Sequence, residues 1–307
     1  DRDFNQPIFD ARYGRGRWAT SDAKAKAVQK FHPLRSHAQC CRDLAGWAQL
    51  GPTLVFNYYL DHNLSADCIH DLPPVILADL RYYRALGVRG SLACYCMNPH
   101  RLWFFRDLHA LAEGLWNPDA AWAAREDSLL EAAFGAAGPA MRELYAQIGA
   151  WHQEPLLAGF RPADLLRGPR HAYGISGYNR ALHQAVACRI DGRMAALLQQ
   201  ADAACAAAGS ASARARVEAI RFNLEMQRML LLTGCQVMAA FACRREGLED
   251  EAAGWFDEAV RVFEAWADRA AREAPPGVSA ASKIAALRPA LAHDLRTIPL
   301  PASGDEV

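Results

Sequence analysis

The spacing of hydrophobic positions along the chain changes once, near Leu115. Before it, short β-branched and aromatic runs alternate with stripes of helical period. Residues 55–60 follow Gly51-Pro52 and residues 88–95 follow Gly87, and both runs predict strands. Between them, Asp71-Leu72-Pro73-Pro74 offers a capping residue and early prolines. Leu77, Leu80, Tyr83 and Leu86 form one apolar stripe, and Gly87 is a stop, so a helix is predicted there. Further helices are predicted over 40–50 and 99–114, and 31–37 is a candidate third strand interrupted by Pro33. Strand and helix alternating through short connections predict parallel βα units. Two or three such units leave sheet faces and edges uncovered, so either further strands lie upstream in a longer native chain, which is the expectation, or the sheet is small and open.

From Asn117 onward the pattern is alanine-rich and helical. Helices are predicted over 122–134 and 139–151, the second with Met141, Leu144, Tyr145, Ile148 and Trp151 on one side. Residues 153–178, with Pro155, Pro162 and Pro169, predict an irregular segment. Three longer helices follow over 180–208, 212–245 and 249–272. Gly209 and Gly247 make the joints short, which implies antiparallel neighbours. The expected division is therefore 1–115 as βα units, 116–274 as an all-α domain, and 275–307 as a proline-rich mobile tail.

Composition narrows the function classes. Thirty-four basic side chains balance thirty-four acidic ones, so no overall field attracts phosphate backbones or anionic lipid, and no nucleic-acid partner is expected. The longest apolar run, 229–243, is broken by Thr233, Gly234 and Gln236 and falls short of the roughly 20 residues that a membrane span needs. It predicts a buried helix and no membrane association. The first residue is Asp and nothing near it has the order of a signal peptide, so the native start is expected to lie elsewhere and the compartment stays open. Nine dispersed cysteines favour a reducing, cytoplasmic setting. Cys40-Cys41 and Cys94-Tyr95-Cys96 lack the spacing of a structural zinc site, and His62, Cys68 and His70 read as ordinary buried or hydrogen-bonded groups. No metal or other cofactor is expected.

In βα architectures reactive groups gather at the C-terminal ends of strands. That rule selects Tyr58, Tyr59, Asp61, His62 and Asn63 after the first strand, Tyr95, Cys96, Asn98 and His100 after the second, and His32, Arg35 and His37 at the end of the candidate third. Successive strand residues point to opposite faces, so one of Tyr58 and Tyr59 belongs to the core. Asp61 could equally cap the next turn. No glutamate occurs before Glu113, whereas glycoside hydrolysis usually employs a carboxyl pair that includes one. Phosphate-loop, nucleophile-elbow and zinc-protease motifs are missing.

The order of several short signatures carries a resemblance. Val55-Phe56-Asn57-Tyr58-Tyr59, then Leu72-Pro73 with Asp79-Leu80-Arg81-Tyr82-Tyr83, then Leu86-Gly87-Val88-Arg89-Gly90, lead to Leu115-Trp116-Asn117-Pro118-Asp119. Phe134-Gly135-Ala136-Ala137 and Met141-Arg142-Glu143-Leu144-Tyr145 follow. This series, over 31–148, resembles bacterial proteins with the domain of unknown function 4838, which look distantly related to α-glucuronidases and hexosaminidase-type barrel enzymes. Where that family often has an acidic residue after the last strand, this chain has Cys94-Tyr95-Cys96-Met97-Asn98.

The resemblance implies the closing βα units of a (β/α)8-like barrel followed by an α-helical domain, in a carbohydrate-active protein with a glycan or small sugar as partner. On that reading Asp61 is the catalytic candidate, as a base or hydroxyl-binding group, with a catalytic acid upstream. Tyr58, Tyr59, Asn98, His37, Arg35 and Tyr95 are the candidate substrate-binding residues, through aromatic stacking and hydrogen bonds to hydroxyls. The alternative is a non-catalytic glycan-binding or scaffold protein with a degenerate barrel, whose helical half docks a protein partner. A helical repeat module is disfavoured because the last three helices share no sequence period.

Overall fold

The computed structural model describes residues 37–60, 69, 71–95, 105–152 and 180–275, together with 288 and 291. These residues are mostly helical, with two parallel βα units before the helical region. They fall into two compact units, one holding the described residues from 37 to 129 apart from Ile69, and one holding Ile69 and the described residues from Leu130 onward.

The first unit contains α1 (His37–Leu50), β1 (Leu54–Leu60), α2 (Pro73–Ala85), β2 (Gly90–Tyr95) and α3 (Phe105–Trp116). α4 (Trp122–Phe134) begins in it. β1 and β2 pair in parallel, Leu54 opposite Gly90 and Phe56 opposite Leu92, with an irregularity between Asn57 and Leu60. Pro73 and Pro74 open α2 where no N–H is required of them. The expected cap is not made: Leu72 is the N-cap and gives no side-chain bond, while Asp71 is engaged by Arg106 instead. At the other end Gly87, at φ 76°, lets its own N–H reach the Arg84 carbonyl and the Val88 N–H reach that of Tyr83. This double closure turns the chain from α2 into β2. α3 packs on α2 through Gly114, where a Cβ would stand 2.5 Å from Leu80 Cδ1 and 2.8 Å from Leu77 Cδ2.

The two faces of the sheet differ. Asn57 and Tyr59 are buried on the α2 side, where Tyr59 donates to Asp79 and Tyr83 donates to Asn57 Oδ1 at 3.3 Å. Leu54, Phe56 and Leu92, on the other face, are 63%, 55% and 56% exposed.

The second unit takes the rest of α4, a 3₁₀ turn (Gly135–Ala137) and α5 (Gly138–His152). It continues with α6 (Arg180–Ala207), α7 (Ala211–Arg245) and α8 (Glu249–Glu273). α6 buries Ile190, Met194, Leu197, Ala201 and Ala204 at alternating steps of four and three, one stripe of a helix. α7 starts at Ser210, whose hydroxyl accepts from the Ala213 N–H at 3.1 Å, and it is buried nearly all round between α6 and α8. α7 is long and apolar enough to cross a membrane, yet 83% of its most apolar window is buried within the protein, as in a core helix. Its Phe222, Met226, Leu230, Val237 and Phe241 meet Phe256, Phe263 and Trp266 of α8. Phe241 and Phe256 pack edge to face at 5.5 Å.

Gly247, at φ 76°, closes α7 with the same pair of bonds that Gly87 gives α2. Glu225 ties the helices from the α7 side, accepting from Arg221 at 2.7 Å and from Arg269 of α8 at 2.9 Å. Within the stretch expected to be a mobile tail, Arg288 bonds Glu264 through two nitrogens and Leu291 joins the α7–α8 core, so the chain is docked at those positions. The segment 153–178 and the candidate strand 31–36 lie outside the described residues.

Candidate functional site

Because β1 and β2 are parallel, their C-terminal ends share one edge, and α2, which returns the chain between them, starts at that edge. Of the residues expected there, Asp61, His62, Asn63, Cys96, Asn98 and His100 lie outside the described set, as do Arg35, His32, Cys68 and His70. Tyr58 is in β1 and Tyr95 closes β2, with side chains outside the described set. His37 is the first residue of α1, so its backbone is helical and not the end of a strand. Tyr59 is buried, with its hydroxyl given to Asp79, and is the member of the tyrosine pair that belongs to the core.

The same edge carries a charged cluster that sequence reading missed. Arg106, in the first turn of α3, donates through Nη1 to Asp71 Oδ1 at 3.0 Å and through Nη2 to Glu126 of α4. Its side chain is nearly inaccessible, and those of Asp71 and Glu126 are largely so. Beside it Asp107 is buried, and neither of its carboxyl oxygens completes a hydrogen bond.

Burial pushes the Asp107 carboxyl well above the ordinary carboxylate range. The neighbouring Arg106 guanidinium pulls the other way, the Asp71 charge adds to the rise, and the Leu72 backbone N–H, which faces the group, lowers it slightly. Asp71 is raised as well, again by burial first and against the pull of Arg106. The cluster therefore consists of an arginine holding two carboxylates, next to an acid that retains its proton above the usual range. A proton-carrying carboxyl of this kind is chemically a general acid, provided that a substrate reaches it. Among the described residues no set of His, Cys, Asp or Glu converges as metal ligands.

A signal for Asp107 was present in the sequence. Asp107, Ala110, Leu111 and Gly114 have the spacing of one helical stripe, so an acid stood on the apolar face of α3. Its burial beside an arginine depends on Asp71, 35 positions from Arg106, and no local pattern reports that.

No family model matches the chain, and no curated protein or solved structure matches it either.

Proposed function

We propose that the chain is the closing part of a glycoside-hydrolase-like, carbohydrate-active protein whose βα units complete a (β/α)8-like barrel with strands lying upstream. The observation that carries this reading is the uneven sheet. A parallel sheet normally has both faces covered. Here α2 covers the Asn57 and Tyr59 side, while Leu54, Phe56 and Leu92 on the other side remain in water. In a barrel the helices lie outside and that second face is the packed interior, so further strands would bury these three side chains. On this reading Asp61, Tyr58, Tyr95, Asn98, Arg35 and His37 belong to the mouth region, and the resemblance of the 55–145 signatures supplies the substrate class. Arg106 and its acids brace the helix N-termini beneath it.

The test is a chromogenic-glycoside and glycan-array screen of a longer protein that includes the upstream strands, with this chain alongside. Turnover by the longer protein alone places a catalytic acid upstream and supports the proposal. A second reading, a glycan-binding or scaffold protein without catalysis, has one observation in its favour. Among the described residues at the strand edge, Asp71, Asp107 and Glu126 are all at least largely buried, so none stands open to a substrate. Binding without turnover by both proteins would favour it.

A further inference from the structure

At the other end of the strands, where β2 begins and α2 and α3 finish, lies a recess of about 140 Å³. Its walls include Leu80, Arg84, Arg89, Ser91, Gly114 and Trp116. Two local features build it. Gly114 lets α3 approach α2 closely, and the Gly87 turn brings the chain back into β2 beside them. Trp116 is 92% exposed, leaving a large aromatic surface in water at the lip of the recess. The end of α3 also keeps acceptors free. Pro118 has no N–H to offer the Gly114 carbonyl, and the Asp119 N–H turns to Asn117 Oδ1. Among the described residues no backbone N–H outside the helix itself reaches the carbonyls of Leu115 or Trp116. Donors stand nearby: Arg89 forms no ion pair among the described residues, and Arg84 is held by Asp119.

These groups complement a sugar ring. An indole accepts the C–H face of a pyranose, while hydroxyls at the ring edge donate to helix-end carbonyls and accept from guanidinium groups. A neutral ring suits the place, because the partially negative C-terminal ends of two helices offset the positive charge of Arg89, and Arg84 is already paired with Asp119. The volume exceeds what one water needs by about tenfold, enough for a single ring with its chain continuing into solvent. We propose that the recess formed by Trp116, Arg89, Arg84 and the end of α3 is a binding site for one neutral sugar residue of a glycan. It is separate from the C-terminal edge of the strands. The ligand class rests on the carbohydrate reading above.

The experiment is a calorimetric titration of this chain with xylohexaose, cellohexaose, chitohexaose and mannohexaose, repeated on Trp116→Ala, Arg89→Ala and Trp47→Ala. Trp116 and Arg89 are exposed, so circular dichroism is expected to show all three variants folded. At least one oligosaccharide is expected to bind saturably. Trp116→Ala should weaken it about tenfold and Arg89→Ala several-fold. Trp47→Ala, which removes a 64% exposed tryptophan from α1, should leave binding unchanged. Binding unaltered in Trp116→Ala overturns the site, as does the lack of any binding at millimolar sugar. So does dissociation of an oligomer by Trp116→Ala in sedimentation, which would make the surface a protein contact. The wider reading is judged independently by the turnover screen: hydrolysis there with no Trp116-dependent titration discards the recess and leaves the hydrolase standing.

Discussion

The two units differ in what their apolar side chains meet. In the helical unit, α7 finds partners on both sides, and Phe222, Leu230, Val237 and Phe241 lie against Phe256, Phe263 and Trp266. In the βα unit the apolar side chains toward α2 are buried, while Leu54, Phe56 and Leu92 are more than half exposed. The difference is one of geometry. A long helix between two others can bury its whole circumference, whereas a two-stranded parallel sheet has two faces and, among the described residues, cover for one. Core substitutions in the helical unit should therefore be costly in this chain, and substitutions on the open sheet face should not.

The largest effect expected is that of Phe263→Ala, which empties the centre of the α7–α8 contact. Truncating a buried phenylalanine costs about 3–5 kcal/mol, and urea denaturation of the variant should show a loss of that order. A loss under about 1 kcal/mol would mean that this contact does not hold the unit together. Next is Gly114→Val. Its Cβ alone would meet two leucine carbons inside ordinary contact distance, so α3 must move away from α2 at a cost of about 1–3 kcal/mol. Hydrogen exchange is the suitable readout, because the weakening should appear in α2 and α3 and leave α7 protected. Uniform weakening would contradict the division into units.

How much of this was legible beforehand depends on the range over which each feature is encoded. The helix predicted over 212–245 is observed as Ala211–Arg245, and the strand predicted over 88–95 as Gly90–Tyr95, because periodicity, caps and glycine stops act within a few residues. Roles that depend on distant partners were not legible. Asp71 read as a helix cap and is an ion-pair partner of Arg106, and Tyr59 read as a candidate sugar platform and is a core tyrosine bonded to Asp79. The strand-end rule pointed to side chains on the strands and the loops after them, whereas the buried charges at that edge, Asp71, Arg106, Asp107 and Glu126, lie in or just before helices.

Asp107→Asn is expected to stabilise the protein as pH rises. Because burial raises the folded-state pKa of Asp107, the unfolded chain releases this proton at a lower pH than the folded one. The contribution is thus fully present below the unfolded pKa and is lost as pH climbs through the folded value. An uncharged asparagine of the same shape removes that loss. Urea denaturation at mildly acidic and at neutral pH should give a variant whose advantage grows with pH, while the fall in stability with pH that raised Asp71 causes remains in both proteins. An advantage independent of pH would mean that Asp107 does not hold its proton.

The smallest effect belongs to Phe56→Ser, and it is the most informative about the sheet. Phe56 stands opposite Leu92 on the open face and is 55% exposed, so this substitution should change the stability of the chain by no more than about 0.5 kcal/mol. It should also make the chain more soluble, because a contiguous apolar patch is reduced. If strands upstream close a barrel over this face, the same substitution in the longer protein buries a hydroxyl and opens a cavity, and the cost rises to about 3–5 kcal/mol. Denaturation of both proteins with and without Phe56→Ser measures that gap. A large cost in the longer protein alone means that the sheet's second face is an interior completed from outside this sequence. Equal small costs in both would show that the face remains open to water in the longer protein, and the barrel would have to be abandoned.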